Sequence, residues 1–297
     1  MSSAKRLQGC GTALVTPFTK AGDVDEAALR RLVDWQIAEG VHFLVPAGST
    51  GEAATMSVEE HVRVVQVVAE QAKGRVPIVA GAGSNDTKKA VALSKELAEV
   101  GVTHLLHVSP MYNKPPQRGL IAHFRAIAAA VDVPIILYNV PGRTGGNIEA
   151  RTTLELAQVK GIAGIKEASG NLGQINEIIR NRPPHFSVLS GDDAVTLPVM
   201  AAGGDGVISV ISNATPKLMT QLCDRCLAGD FAGARAIHER LMPWMAAAFV
   251  ESNPIPVKAA VAMLGRIENV LRLPLVPLLA QHEPAVRESL KLAGALS

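Results

Sequence analysis

Cysteine is scarce in this chain: Cys10, Cys223 and Cys226 are the three among 297 residues. That is too few for a disulfide framework, and reduced thiols are expected. Cys223 and Cys226 do form a CxxC within "LMTQLCDRCLAG". The pair sits in a helix-period segment, without the strand-to-helix setting of a redox motif or the partner ligands of a zinc site. It is read as structural. The eight histidines include no HxxxH or HExxH pair, so no metal site is expected. An excess of one charge is missing as well. Lys and Arg number 29 against 27 Asp and Glu, a formal net charge of +2 with no basic stripe, which gives no case for nucleic acid. The opening "MSSAKRLQGCG" lacks the apolar run of a signal peptide, and no later segment reaches membrane-spanning length. A cytoplasmic protein with no membrane partner is the expectation.

What is abundant is aliphatic. The chain is 48% hydrophobic but only 3% aromatic, so its core is built mainly from Ala, Val, Leu and Ile. Eight short apolar runs recur: GTALVTPF, HFLVPAG, VPIVAGAG, HLLHVSP, PIILYNV, IAGIKEA, FSVLSGD and GVISVIS. They are continuous rather than alternating, as in parallel strands covered on both faces. Between them lie helix-period segments such as EAALRRLVDWQIAEG and DTKKAVALSKELAEVG, each ending in a Gly suited to a helix C-terminus. Eight such units predict a (β/α)8 TIM barrel. A doubly wound sheet would want a glycine fingerprint after the first strand, and TPFTKAGDVD is not one. The expected division is a catalytic barrel over residues 1–222 and a helical region over 223–297. Three helical stretches are expected in the latter, near 230–250, 254–266 and 275–295.

Chemistry in such a barrel gathers where strands end. The first strand ends in Thr16 and the second runs into "GSTGE", Gly48 to Glu52. The fourth ends in "SPMYNKP" and the fifth in "YNVPGRTG", and both of the chain's tyrosines, Tyr112 and Tyr138, fall there. The sixth strand is interrupted by a lysine, Lys166 in "GIAGIKEASG". A strand-end lysine often snorkels to solvent or pairs with a neighbour such as Glu167. Inside a barrel with hydroxyls converging on it, burial instead favours the neutral amine, the form that attacks a carbonyl to give a Schiff base. Lys166 is therefore read as a covalent catalyst.

The "GSTGE" turn offers hydroxyls and close backbone amides for a small carboxylate, although many such runs are ordinary turns. Arg143 could fork a second carboxylate or simply cover a surface. "SGDD", Ser190 to Asp193, is read as a helix start with an aspartate N-cap. The glycines of "AGGDGVISV" precede the eighth strand, at the end opposite the chemistry, which argues against a phosphosugar isomerase.

Together these residues resemble the dihydrodipicolinate synthase family, within the N-acetylneuraminate lyase superfamily of class I aldolases. "TALVTPF", "GSTGEAAT", "YNKP", "ILYNVPGRTG", "GIKEASGN", "SGDDA", "GVISV" and "NPIPVK" occur in the family's order over nearly the whole chain. The resemblance implies condensation of pyruvate with L-aspartate 4-semialdehyde to 4-hydroxy-tetrahydrodipicolinate, in lysine and diaminopimelate biosynthesis. It implies that Lys166 forms the imine with pyruvate and that Tyr138 binds the adduct and moves protons. Thr50 and Tyr112 would relay protons, Tyr112 reaching in from a neighbouring subunit. Ser49 and Thr50 would grip the pyruvate carboxylate, Arg143 would hold the semialdehyde carboxylate, and Gly191 and the Ile208 carbonyl would line the pocket. Members are usually homotetramers, dimers of dimers, and need no organic cofactor.

Two departures from the family pattern bear on substrate and regulation. "GSTGE" replaces the usual "GTTGE" and is shared with the sialic-acid lyases, which lack the arginine of "YNVPGRT". Lysine-inhibited members resemble one another at an interface pocket with a glutamate, histidines and an aromatic residue. This chain keeps His61 and Asn85 there but has Lys89, Val58 and Met111 at the other positions, and weak or absent inhibition by lysine is expected. Two further readings stand beside the synthase. One is another pyruvate aldolase, acting on sialic acid, a keto-deoxy sugar acid or hydroxy-oxoglutarate. The other is a non-catalytic barrel that binds a keto acid.

Overall fold

The computed structural model describes residues 6–296. Residues 1–5, the head of the stretch searched for a signal peptide, lie outside the described residues. Eight parallel strands form one sheet: β1 Gly9–Ala13, β2 Phe43–Val45, β3 Val79–Gly81, β4 His104–Val108, β5 Ile135–Asn139, β6 Ile162–Glu167, β7 Ser187–Ser190 and β8 Gly206–Ser209. They run in the order β2-β1-β8-β7-β6-β5-β4-β3, and a parallel bridge between Leu44 and Ile78 closes the ring. This is the (β/α)8 barrel expected from the eight apolar runs.

Helices wrap the outside: α1 Glu26–Ala38, α2 Val58–Ala72, α3 Thr87–Ala98, α4 Gln117–Ala128, α5 Pro141–Thr144, α6 Ala150–Leu156, α7 Leu172–Asn181, α8 Thr196–Ala201 and α9 Pro216–Leu227. Their starts follow from local chemistry. Asp25, Asp86 and Asn171 each accept a hydrogen bond from an orphan amide in the first turn, and Ser57 and Glu60 form a reciprocal capping box on α2.

The strands' alternation sorts side chains into two layers. Phe43, Leu106, Ile136, Tyr138, Leu189 and Ile208 fill the barrel interior, whereas Ile135, Leu137, Ile165 and Val188 pack outward under the helices. Three further helices complete the chain: α10 Phe231–Ala247, α11 Ile255–Met263 and α12 Glu283–Ala293. The last is shorter than its sequence pattern. Pro274, Pro277 and Pro284 fall within 275–295 or just before it, and helix begins only where Pro284 can occupy its first turn. Helix α9 runs straight through residue 222, and Leu222, Trp244, Val257 and Leu290 share one buried cluster with Leu14 and Val64 of the barrel. The C-terminal region is thus packed on the barrel as a continuation of its core.

Candidate active site

On β6, Lys166 and Glu167 point to opposite sides. Glu167 is fully buried outside the barrel wall, accepting from Asn139 Nδ2 at 3.0 Å, Gln174 Nε2 at 2.9 Å and the Ser169 amide at 2.7 Å. It is satisfied there and does not pair with its neighbour. Lys166 points inward and upward, 5% exposed, with Nζ 4.3 Å from the centroid of the Tyr138 ring. The two residues are register partners on adjacent strands, which fixes amine over ring. No carboxylate among the described residues lies within ion-pair distance of Lys166 Nζ. Gly191, just past β7, must lack a side chain: a Cβ there would stand 3.1 Å from Lys166 Cε and 2.6 Å from Ala168 Cβ. Its absence leaves the lysine stem its channel.

Lys166, Tyr138 and Gly191 line a cavity of about 1040 Å³ at the carboxyl ends of the strands. Ser49, Thr50 and Arg143 line the same cavity. The "GSTGE" turn is closed by Gly51 and Glu52 amides donating to the Gly48 and Ser49 carbonyls, which leaves the Ser49 and Thr50 amides out of the turn's own bonds. Thr16 Oγ1 donates to the Gly51 carbonyl at 2.7 Å, so the loop that follows β1 fastens the turn. Across the cavity, Arg143 sits on the short helix α5 with Nη2 3.2 Å from the Asn253 carbonyl.

Tyr112 and Ile208 stand apart from this group. Tyr112 is 90% exposed, with a left-handed backbone (φ 71°), and it does not line its own chain's cavity. The Ile208 side chain is buried in the barrel interior, and Val210 lines the cavity beyond it. In "SGDD", Asp192 caps the following turn by accepting from the Ala194 amide. Asp193 is a different case. Fully buried, it accepts from the Val210 and Ile211 amides and ties the top of β7 to that of β8, while burial pushes its carboxyl up to about 6.

The sequence reading gave no role to Asn253, yet it joins both sides of the cavity. Its Nδ2 donates to Thr50 Oγ1 at 2.9 Å while its carbonyl accepts from Arg143. Its Oδ1 is buried and has no partner. The unassigned "NPIPVK" was the available signal. The same cavity extends to Val58, His61, Asn85, Lys89 and Met111, the residues singled out for regulation. Burial lowers the pKa of His61, against the pull of its bond to Gly81, where Nε2 donates to the carbonyl at 2.7 Å.

A barrel whose mouth presents an enclosed amine beside a tyrosine and a hydroxyl-bearing turn is that of a class I aldolase-type lyase. The sequence model of the dihydrodipicolinate synthetase family matches residues 6–293, and the chain belongs to that family. A 4-hydroxy-tetrahydrodipicolinate synthase of Koribacter versatilis is 51% identical to it, over 98% of this chain and 97% of the relative. One of Acidithiobacillus ferrooxidans is 52% identical, over 98% and 100%. A chloride-inhibited dihydrodipicolinate synthase from Acinetobacter baumannii, solved with pyruvate, superposes with a TM-score of 0.96 at 42% identity, covering 98% of this chain and 100% of that one.

Proposed function

We propose that this chain condenses pyruvate with L-aspartate 4-semialdehyde to give 4-hydroxy-tetrahydrodipicolinate, with Lys166 as the covalent catalyst. The observation that carries the reading is the enclosed amine of Lys166 over Tyr138 in a cavity also lined by Ser49, Thr50 and Arg143. Both substrates are carboxylates, so one grip must seat each.

Lys166 Nζ adds to the pyruvate ketone, and the carbonyl oxygen leaves as water to give an imine. The Ser49 and Thr50 amides and hydroxyls hold the pyruvate carboxylate. Loss of a methyl proton, with Tyr138 as the proton carrier, gives an enamine. Its carbon attacks the aldehyde of the second substrate, whose carboxylate Arg143 receives in a fork. The amine of that substrate then attacks the imine carbon, the bond to Nζ breaks, the ring closes and Lys166 is freed.

The outward turn of Tyr112 supports its working in a neighbouring copy, in a homo-oligomer whose sites are completed in trans. Among the described residues no helix is long and apolar enough to cross a membrane, in keeping with a cytoplasmic site of action.

The test is turnover of pyruvate with aspartate semialdehyde, coupled to the next reductase and followed by nicotinamide oxidation. Activity that vanishes in Lys166→Ala and falls in Arg143→Ala supports the proposal. Borohydride trapping of pyruvate without turnover would move the acceptor to a sugar acid. No trapping would remove the imine altogether.

A further inference from the structure

The "GSTGE" turn is held by more than the barrel beneath it. Glu52, its last residue, has a left-handed backbone (φ 58°), unusual for a residue with a side chain, so something must hold it there. Its carboxylate is completely buried. Oε1 accepts from Lys258 Nζ at 2.6 Å, and Oε2 accepts from the Arg272 amide at 3.1 Å.

Lys258 belongs to α11 and is itself fully buried, with Nζ 4.2 Å from the Phe18 ring centroid. The Arg272 guanidinium covers the same ring at 4.4 Å and reaches the carbonyls of Gly22 and Thr55 and both oxygens of Glu60. Asn253, two residues before α11, adds its bond to Thr50 Oγ1. The side-chain contacts of Glu52 and the bond to Thr50 Oγ1 thus come from the helical region after the barrel.

A buried ion pair contributes little net stability compared with well-packed apolar residues. Its attested use is to specify one arrangement, and here the arrangement specified is that of Ser49 and Thr50.

We infer that Glu52 and Lys258 are positioning residues for the imine-forming step: their buried ion pair sets the turn that seats the pyruvate carboxylate beside Lys166. The inference rests on the proposed pyruvate reading. It assigns no contact with substrate to either residue. Lys258 acts only through Glu52 and the turn.

Two methyl ketones separate positioning from general damage. Pyruvate and acetone both form an imine with Lys166 by loss of water, and borohydride delivers hydride to the imine carbon to leave a secondary amine of measurable mass. Only pyruvate has a carboxylate for the turn to seat.

Wild type, Lys258→Met and the doubly neutral E52Q/K258M are compared for trapping rate on Lys166 by intact mass. The expected result is a drop of at least tenfold in the pyruvate-to-acetone ratio for Lys258→Met, with acetone trapping within twofold of wild type. The pyruvate KM should rise by a similar factor, with the semialdehyde KM little changed. Glu52→Asp, which keeps the charge but shortens its reach, should fall between.

An unchanged ratio in a folded variant overturns the inference, as does an equal fall for both ketones. If Lys258→Met does not fold, E52Q/K258M, which leaves no unpaired charge, is judged by the same ratio. Wild type that traps no pyruvate would overturn the pyruvate reading itself, a result distinct from either.

Discussion

Two lysines among the described residues are buried, and they have opposite fates. Lys166 and Lys258 are 5% and 0% exposed, and each ammonium position lies just over 4 Å from an aromatic ring centroid. Lys258 meets the carboxylate of Glu52 at 2.6 Å, whereas Lys166 has no such partner and opens onto a cavity. Burial alone does not make a lysine reactive. A carboxylate keeps a buried ammonium charged and occupied. Its absence leaves the Lys166 nitrogen facing the cavity. Burial pulls Lys258 below the usual lysine range, while the Glu52 charge and hydrogen bond push back.

The sharpest way to break this comparison is to exchange roles for charge alone. Lys166→Arg keeps a long basic side chain in the barrel but removes a nucleophilic amine, and turnover should fall by more than about 10³-fold. Thermal unfolding should shift little, and steady-state rates beside a melting curve check both. Lys258→Met should show the reverse emphasis. It strands the Glu52 carboxylate without its partner, a loss of about 3–5 kcal/mol in chemical denaturation, and E52Q/K258M should recover most of it. If Lys258→Met were as stable as wild type, the contrast between the paired and the free lysine would fail.

Arg143→Ala sharpens the site's own division of labour. Losing a charge-assisted carboxylate contact should lower kcat/KM for the semialdehyde by about 1.5–3 kcal/mol, roughly ten- to a hundredfold, and leave pyruvate trapping on Lys166 intact.

A third buried base extends the series. His107 on β4 is fully buried with Nε2 near Ser94 Oγ at 3.2 Å, and burial, aided by the nearby His123, lowers it to about 3 from 6.5. The native state keeps it neutral where the unfolded chain would take a proton. Stability should therefore be level above pH 6.5 and decline below it, by about 2 kcal/mol at pH 5 from this group. His107→Asn should flatten that decline in melting curves taken across pH, whatever it does to absolute stability.

The smallest expected effect is on regulation. Lys89 presents a like charge in the cavity region where a lysine effector would need a carboxylate, so millimolar L-lysine should leave the rate almost unchanged. Strong inhibition at lower concentration would show that another residue supplies the partner.

Much of this was legible in the residues themselves. All eight strands could be read because continuous apolar runs between helix-period segments have few other meanings. Lys166 stood out as a charge interrupting such a run. Lys258 sends the same signal, a lysine within IPVKAAVA, yet α11 is buried from Ile255 to Val261 and an all-apolar helix has no polar face against which one charge looks misplaced. Its partner lies more than two hundred residues away, at Glu52, and sequence spacing carries no trace of that. The role of Asn253 was hidden for the same reason. Tyr112 was visible as a strand-end tyrosine, but its outward turn depends on a left-handed loop that local pattern does not encode. The last helix was overextended because Leu275, Leu278 and Leu279 keep a helical rhythm that the prolines overrule.

The fastening of Glu52 by Lys258 and Arg272 has a consequence for the order in which the protein comes off the ribosome. By residue 222 every side chain assigned to pyruvate has been synthesised, and the barrel's strands are complete. The turn proposed to seat the substrate must still wait for residues 258 and 272. A nascent or truncated barrel would thus hold its lysine nucleophile while lacking the geometry to choose a substrate for it. Competence arrives with the tail.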